Sequence, residues 1–396
     1  MARSKRVSWA VIGAGHGGQA LAAYLALKGE KVSLHNRSAG PVEAIRRQGG
    51  IRLRGAVTGF ARLEVVSSDM EEALDGVRVI LVTVPASAHR DLARAMAPYL
   101  QAGQIIILNP GRTLGAVEFQ HVLRENGAPP GLTVAETETF IFASRRVEPG
   151  VSRINRVKRK VHLAALPAYR TASVLRQVRH VLPQFVAAAN VLETGLSNIG
   201  AIFHPAPTLL NAGWIESASQ FDYYHQGITR GVARALERVD EERLAIAESY
   251  RVRAVPARRW LAAVYGTRAD DLYTAIQRTK AYGGLKSPAS LEHRYVFEDV
   301  PMSLVPLADL ARAAGRSAPV MESLITIACA LTGVDWVKKG RTLASVGLGG
   351  MGVEEIIDFV KVGLRKVPHT QTRTTSSWNG ETVASDAEAF MGPDAP

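Results

Sequence analysis

Short apolar runs recur along the first half of the chain, and stretches with helical spacing separate them. The runs occupy residues 7–12, 31–35, 77–84, 104–109, 132–136 and 161–166. Buried strands that alternate with helices are typical of β-α units around a mostly parallel sheet. Apolar and polar positions alternate with period two over residues 50–66. This segment predicts a strand pair that extends the sheet with antiparallel strands.

The pattern changes near residue 190, beyond which no buried strand is predicted. Apolar residues then recur three and four positions apart, which predicts amphipathic helices. One such stripe is formed by Ile228, Val232, Ala235, Leu236 and Val239.

The two patterns together predict an α/β plus all-α fold, with a doubly wound sheet followed by a helical substrate domain and a cleft between them. The last stretch is rich in Thr, Ser and acidic residues and has no periodicity. The predicted units are a nucleotide-binding domain over 1–190, a helical domain over 191–364 and a mobile C-terminal tail over 365–396.

Composition narrows the class of protein. With 396 residues, 47% hydrophobic and 21% charged, the chain resembles a folded soluble protein of more than one domain. Its net charge of +12 favours anionic partners, such as nucleotides and carboxylates. The single cysteine, Cys329, is too few for an internal disulfide or a zinc cluster. We therefore expect a cytoplasmic protein that binds no metal and does not act at a membrane.

A glycine-rich turn follows the first apolar run and leads into a helical pattern. It contains Gly13, Gly15, His16, Gly17 and Gly18, in the order G-x-G-x-x-G. In a Rossmann-type domain the first glycine allows the tight turn, the second lets a pyrophosphate approach the backbone, and the third lets helix and strand pack closely. The order strand, glycines, helix and second strand predicts a dinucleotide site that includes these five residues.

The end of the second strand indicates which dinucleotide binds. NAD sites place a carboxylate there to bind the free ribose hydroxyl, whereas this chain has Asn36, Arg37 and Ser38. An amide, a guanidinium and a hydroxyl can all bind a 2′-phosphate, which a carboxylate would repel. The sequence therefore favours NADP(H), with NAD(H) retained as an alternative.

Two later apolar runs end in turns that contain proline or glycine. Thr83 and Pro85 follow one run, and Asn109 follows the other. Loops at the carboxyl ends of strands form the ligand crevice of a doubly wound sheet, so these three residues are candidate cofactor contacts. His89 begins a helix just beyond and is interpreted as a positioning or surface residue.

Among the ten histidines, His204 has the context of an acid/base group. Pro205 follows it, and proline disfavours helical geometry in the preceding residue, so a helix boundary is expected at the histidine. An imidazole there needs a partner that fixes its tautomer. Asp299, 95 residues further on, is one candidate, although spacing alone favours a solvated carboxylate and a capped or buried histidine. Asn198 precedes the histidine and is a candidate for binding the substrate or the nicotinamide, or for capping a helix.

The chain resembles the octopine/nopaline (opine) dehydrogenase family over nearly its whole length. The resemblance runs from the glycine-rich turn to the segment from Gly340 to Leu348, and its specific matching segments are Asn198 to Pro205 and Arg294 to Pro301. The resemblance implies a Rossmann half and a helical half with the substrates between them. It also implies that His204 and Asp299 form a proton-transfer pair and that Arg294 holds the carboxylate of a keto acid. The segment Asn36-Arg37 departs from the acidic strand end of members that use NADH.

The resemblance implies NADPH-dependent reductive coupling of an amino acid or amine with a small α-keto acid, which gives an opine, and a homodimeric enzyme. One alternative is a carbonyl reductase of the ketopantoate or glycerol-3-phosphate dehydrogenase type, for which Lys280 or Lys286 would deliver the proton. A second alternative is a non-catalytic NADP-binding sensor. Arg294 itself has an alternative role as a partner of Glu298 or Glu292.

Two further groups of residues are interpreted as structural. The basic run over 153–160 is assigned to solvated charge near a sheet edge, and no nucleic-acid partner is expected. Aromatic side chains of a helical domain most often belong to its core. This interpretation is favoured for Trp214, Tyr223, Tyr224 and Tyr282, and the alternative is that they line the pocket for the side chain of the amino acid.

Overall fold

The computed structural model of the chain describes residues 8–217 and 219–363. The strands found there are β1 Ser8–Ile12, β2 Lys31–His35, β3 Ile51–Gly55, β4 Gly59–Ala61, β5 Val65–Ser67, β6 Val79–Val82, β7 Ile105–Leu108, β8 Thr133–Thr137, β9 Phe142–Glu148, β10 Val151–Val157, β11 Val161–Leu166 and β12 Phe185–Ala187. The tail predicted over 365–396 lies outside the described residues.

The α-helices of the first half are α1 Gly18–Leu27, α2 Ala39–Gln48, α3 Met70–Leu74, α4 His89–Met96, α5 Gly115–Glu125 and α6 Thr171–Val178. Those of the second half are α7 Val191–Leu196, α8 Gly200–Phe203, α9 Pro205–Leu210, α10 Ala212–Glu216, α11 Arg230–Ser249, α12 Ala257–Tyr265, α13 Leu272–Arg278, α14 Arg294–Phe297, α15 Val305–Ala313, α16 Pro319–Thr332, α17 Trp336–Lys339 and α18 Val353–Val362. The change from strands to helices falls between β12 and α7.

The main sheet has eight strands in the order β12-β11-β8-β7-β6-β1-β2-β5. Neighbouring strands are parallel except for β8 and β11, which are antiparallel. The central strands β6 and β7 are buried along their whole length. A strand covered on both faces needs apolar residues at every position, which is why these strands are continuous apolar runs in the sequence. The predicted doubly wound sheet is confirmed.

The strand pair predicted over 50–66 does not extend the main sheet. β3 and β4 do pair antiparallel, but they belong to a second sheet with the order β4-β3-β10-β9. β5 instead joins the edge of the main sheet, parallel to β2. Period-two alternation identifies strands with one exposed face, but it carries no information about their partners, so the predicted sheet was wrong.

The basic run at 153–160 was also misassigned. Its first residues form part of β10, which pairs with β3 on one side and with β9 on the other. It is therefore an interior strand of the second sheet, and Arg153 is exposed on the face of that sheet rather than at an edge.

The helical half packs on one face of the main sheet. Ala10 and Ile12 of β1 belong to a core that continues into the helices, whereas Trp9 and Val11 face the opposite core with α1 and the second sheet. The predicted stripe on α11 is only partly buried. The helix begins after the Thr229 cap. Leu236 and Val239 of the predicted stripe are buried, and Val232 and Ala235 are half-buried. The buried face also includes Ala233, Ile246 and Ala247.

Two further features of the described residues concern membrane spans and metal sites. No single helix there is both long and apolar enough to cross a bilayer, and one helix pair, Pro319–Thr332 with Trp336–Val346, has the length and composition but is bent by 104°. In the same residues, no group of three or more His, Cys, Asp or Glu is arranged to hold a metal ion.

Candidate active site

The glycine-rich turn joins β1 to α1 and has the shape of a phosphate cradle. Gly13 has a φ of +107°, a conformation that favours glycine. A Cβ atom on Gly18 would lie 1.6 Å from the carbonyl oxygen of Gly13, so only glycine allows this contact between helix and turn. A Cβ atom on Gly15 would meet no protein atom within 4 Å. The space in front of Gly15 and the first turn of α1 therefore fit the pyrophosphate of a dinucleotide.

Side chains from two neighbouring strands hold this turn. Thr83, after β6, has its hydroxyl 3.0 Å from the carbonyl oxygen of Ile12 and 3.1 Å from that of Gly13. Asn36, after β2, accepts a hydrogen bond from the amide of Ala14 at 2.9 Å and donates one to the carbonyl oxygen of Ser38 at 3.0 Å. Both therefore shape the turn, and the side chain of Asn36 is already engaged within the protein.

The second sheet contacts the glycine-rich turn, a feature that was not foreseen. His16 Nδ1 accepts a hydrogen bond from the backbone amide of Arg146 at 2.9 Å, and its carbonyl oxygen accepts one from Ser144 Oγ at 3.0 Å. A Cβ atom on Gly17 would lie 2.7 Å from the ring of Phe140. Burial, followed by the charges of Arg146 and neighbouring arginines, lowers the pKa of His16. The histidine is thus a neutral acceptor that fastens the turn to β9.

Three residues near the strand ends differ in their surroundings. Pro85 is exposed after β6. Asn109 is 1% exposed, and its Oδ1 accepts a hydrogen bond from Thr137 at 3.0 Å, so its side chain lies within the sheet rather than in the crevice. His89 is fully buried and accepts a hydrogen bond from Arg341 at 3.0 Å. The positioning role predicted for His89 agrees with this contact, whereas a direct cofactor contact by the Asn109 side chain does not.

The structure brings His204 and Asp299 together. His204 lies between α8 and α9, where Pro205 begins a new helix, and Asp299 follows α14. The distance from His204 Nδ1 to Asp299 Oδ2 is 2.8 Å, and Asp299 is completely buried. Because an ionised carboxylate only accepts, Nδ1 donates and the lone pair lies on Nε2. Within the described residues, no hydrogen bond engages that Nε2 atom.

The pKa values of this pair depart from their ordinary values in a consistent way. Burial lowers the pKa of His204, and Asp299 only partly opposes this effect. Burial alone would raise the pKa of Asp299, but Arg112 and His204 together hold it below its usual range. At neutral pH the pair is therefore a neutral imidazole beside a carboxylate, which is the state of a general base with an orienting partner.

Arg112 is a part of the site that was not assigned from the sequence. It follows β7 with a φ of +63° and lies 3.3 Å from Asp299 Oδ1 and 3.3 Å from Glu298 Oε1. It also donates to Asn198 Oδ1 at 3.2 Å. Its position after a strand of the main sheet was the available signal. Its partners, however, lie 86 or more residues away in the chain.

Asn198 completes this network. Its Nδ2 donates to Ser303 Oγ at 2.8 Å while its Oδ1 accepts from Arg112. The hydroxyl of Ser303 lies 3.4 Å from Asp299 Oδ1. Both ends of the Asn198 amide are thus bound within the protein. Its geometry is that of a residue that positions Arg112 and Asp299, and not that of the predicted substrate contact.

Arg294 lies on the solvent-exposed side of the His204–Asp299 pair. Its side chain is 57% exposed, and its Nε is 3.9 Å from Glu298 Oε2, so the alternative pairing with Glu298 is present only at long range. Glu298 Oε1 is bound more closely, by Arg112 and by the backbone amide of Ala86 at 3.1 Å. The next residue, Tyr295, stacks on the ring of His204 with 4.1 Å between centroids. Arg294 is therefore placed to present its guanidinium to an anion near the imidazole.

A cavity of about 390 Å³ opens beside these residues. Its lining includes Tyr223, Tyr224 and Tyr295. Tyr223 also donates a hydrogen bond to the carbonyl oxygen of His204 at 2.8 Å. For Tyr223 and Tyr224, which were interpreted as core residues, the structure thus favours the alternative of a place in a pocket wall. Trp214 instead stacks on Phe221 and is not among the lining residues.

The two lysines considered for a carbonyl reductase differ in position. Lys280 is exposed and is not among the residues that line the cavity. Lys286 lines the cavity, but its Nζ is bound to Asp222 Oδ1 at 2.8 Å. The histidine and aspartate pair is the acid/base group that the geometry favours.

Comparisons with known proteins identify the family of the chain. Residues 187–332 match the family model described as NAD/NADP octopine/nopaline dehydrogenase, alpha-helical domain, and residues 9–118 match that of ketopantoate reductase PanE/ApbA. An opine dehydrogenase from Arthrobacter sp. (strain 1C) is 42% identical over 345 residues, which cover 87% of this chain and 96% of the relative. The chain belongs to the opine dehydrogenase family. It is an NAD(P)-dependent oxidoreductase that acts on CH–NH donors.

Solved structures of opine dehydrogenases share the fold. Octopine dehydrogenase with NADH and L-arginine superposes on this chain with a TM-score of 0.74 at 24% sequence identity. The superposition covers 89% of this chain and 98% of the octopine dehydrogenase chain. Yersinopine dehydrogenase bound to NADP⁺ superposes with a TM-score of 0.68 at 15% sequence identity, and the superposition covers 90% of this chain and 98% of the yersinopine dehydrogenase chain. Both support the arrangement of a Rossmann half and a helical half.

Proposed function

We propose that this opine dehydrogenase couples an amino acid with a small α-keto acid and uses NADPH for the reduction. The observation that carries the proposal is the 2.8 Å contact between His204 and the buried Asp299, which leaves Nε2 of a neutral imidazole available. In the reaction, the amine nitrogen bonds to the keto carbon, whose oxygen leaves as water. The resulting imine carbon gains a hydride, its nitrogen ends protonated, and the product is a secondary amine.

His204 serves at two successive proton transfers. Its neutral Nε2 takes a proton from the amine nitrogen as this nitrogen attacks the keto carbon. The imidazolium then returns this proton to the former carbonyl oxygen, and a second proton taken up from solvent lets that oxygen leave as water. Asp299 stabilises the imidazolium and keeps the ring in one tautomer, while Arg112 keeps Asp299 ionised.

Arg294 fixes the keto acid. A guanidinium binds a carboxylate as a planar fork, which orients the carbon to be reduced as well as holding it. The glycine-rich turn and Thr83 hold the dinucleotide on the main sheet. When bound, NADPH supplies the hydride for the imine carbon.

The preference for NADPH rests on Arg37 and Ser38, both exposed after β2. A solved octopine dehydrogenase holds NADH and a solved yersinopine dehydrogenase holds NADP⁺, so opine dehydrogenases differ in this respect. Replacement Arg37→Gln should raise the KM for NADPH about tenfold, because one charge-assisted contact to the 2′-phosphate is lost, and should leave the KM for NADH unchanged. The matched control is Arg47→Gln, an exposed arginine of α2.

The assembly and location belong to the same proposal. We propose a homodimer, following the resemblance to the family, and light scattering of the purified protein is the direct test. We also propose a cytoplasmic location. The single thiol, Cys329, is consistent with a reducing compartment because it requires no disulfide partner.

The experiment that tests the activity is a screen of NADPH oxidation with α-keto acids, each with and without amino acids. Oxidation that requires both reactants, with the secondary amine detected by mass spectrometry, is the expected result. Oxidation by a keto acid alone would instead assign carbonyl reduction. Equal or greater rates with NADH at low cofactor concentration would overturn the assigned preference for NADPH.

A further inference from the structure

Two residues that line the cavity also contact His204 of the proton-transfer pair. Tyr295 lines the cavity and also stacks on the imidazole, and Tyr223 lines it and bonds to the histidine backbone. A molecule in the cavity therefore lies against the residues that flank His204. Because Arg294 stands at the keto-acid position, the cavity is the place for the second reactant.

The charge of the cavity wall comes from two cations, Arg145 and Lys286. Lys286 is neutralised by Asp222 at 2.8 Å. Arg145 has no ion pair among the described residues. Its partner across the second sheet is Arg153 on β10, which in turn is paired in register with Arg54 on β3.

Three arginines therefore form a row across three strands. Like charges placed directly opposite each other destabilise a sheet, so the row does not stabilise the sheet as an ion-paired one would. Arg145 is the member of the row that reaches the cavity wall. A positive charge maintained at a stability cost beside a ligand cavity is best explained by an anionic ligand.

We propose that Arg145 binds the carboxylate of the amino acid in this cavity, and that the amine reactant is consequently an α-amino acid with an uncharged side chain rather than a simple amine. This inference rests on the proposed function. The coupled product carries two carboxylates, and Arg294 and Arg145 supply one cation for each. The two arginines approach from different halves of the chain, one from α14 and one from β9.

The other residues of the cavity wall indicate which side chain the amino acid carries. Tyr224, Leu285 and Tyr295 offer aromatic and aliphatic surface to the ligand. No residue that lines the cavity in the described part of the chain is acidic. A cationic side chain would therefore meet the unpaired charge of Arg145 with no acidic lining residue to offset it, and an apolar or aromatic side chain is favoured.

The test compares Arg145→Gln with Arg153→Gln, which removes the same charge one strand away. We expect the first variant to raise the KM for an apolar amino acid at least tenfold, with the keto-acid KM and the NADPH dissociation constant within twofold of the wild-type values. The control variant should retain the wild-type KM. Arg145→Lys, which keeps the charge, should recover part of the loss.

Two further measurements separate this inference from the proposed function. The first uses the primary amine that corresponds to the amino acid without its carboxylate. The wild type and Arg145→Gln should use this amine with the same low kcat/KM, because it has no carboxylate for Arg145 to bind. Calorimetric titration of the amino acid into NADP⁺-loaded protein should show binding that Arg145→Gln weakens. Coupling by the wild type with equal amino-acid KM values in both glutamine variants overturns the role of Arg145 and leaves the proposed function intact. Titratable amino-acid binding without any coupling overturns the proposed function instead, and the absence of both overturns the two together.

Discussion

The guanidinium of Arg112 lies 3.3 Å from Asp299 Oδ1, while His204 occupies the other oxygen of the same carboxylate at 2.8 Å. Each oxygen of this buried Asp299 thus has its own cationic or protonated partner. The arginine keeps the carboxylate ionised, and it also lowers the pKa of His204 through its charge. Arg112 is therefore a positioning residue that tunes the base without facing the cavity lining.

Replacement Arg112→Met should move the pH profile of coupling. In the wild type, burial lowers the pKa of His204, so the acid limb of kcat/KM should lie below the ordinary histidine value of about 6.5. Removing the arginine charge raises the pKa of His204, so the acid limb should move to higher pH. A profile that superimposes on that of the wild type would exclude this tuning role.

The same variant should also lose stability, by about 3–5 kcal/mol, because two buried carboxylates lose their partner. The folded pKa of Asp299 lies below its unfolded value of about 3.9, so its stabilising contribution is present above that pH and is lost as the pH falls through the folded pKa. Urea unfolding at pH 7 measures the loss, and Arg112→Lys should lose less.

Replacement His204→Asn should lower the turnover of coupling by about 10² to 10⁴ and leave NADPH binding unchanged, because the proton-transfer group is removed from an otherwise intact site. Asp299→Asn should also lower turnover, since an amide no longer fixes the tautomer. His180→Asn is the control, because His180 is a half-exposed histidine bound to Glu30. Turnover of His204→Asn at the rate of that control would refute the assignment.

Two glycines of the turn should respond differently to alanine. Gly15→Ala places its Cβ where no protein atom lies within 4 Å, so thermal stability should be unchanged while the NADPH dissociation constant rises at least tenfold. Gly18→Ala places its Cβ 1.6 Å from a backbone oxygen, so folding itself should suffer. Calorimetry and a cofactor titration separate the two effects. Unchanged NADPH affinity in Gly15→Ala would contradict the placement of the pyrophosphate.

Arg341 should be essential for stability. Its Nε is 2.6 Å from Glu118 Oε2, both side chains are buried, and it also donates to the carbonyl oxygens of Gly111 and Thr113. Arg341→Met should cost about 3–5 kcal/mol, because the buried carboxylate of Glu118 loses its buried partner and keeps only Arg90, whose side chain is 35% exposed. Arg238→Gln, which breaks an exposed pair with Glu241, should cost less than about 1 kcal/mol. Comparable midpoints of urea unfolding in the two variants would contradict this contrast.

The local pattern of apolar residues was sufficient to predict the strands that are buried on both faces. The runs predicted over 31–35 and 161–166 coincide with β2 and β11. The hairpin of β9 and β10 was missed because its outer face carries charged residues, which give no continuous apolar run. This hairpin brings Arg145 to the cavity and fastens His16, so the omission removed part of the site.

The sequence by itself determined the Rossmann half, the helical half and the glycine-rich turn, because these depend on periodicity and on residues adjacent in the chain. It also supplied His204 and Asp299 as a pair through the resemblance to the family. Only the tertiary structure decided that Arg112 binds Asp299, that the Asn198 amide is engaged within the protein, and that Arg145 lines the cavity. These contacts join residues from distant strands and helices, and their geometry is set by packing of the two halves rather than by spacing along the chain.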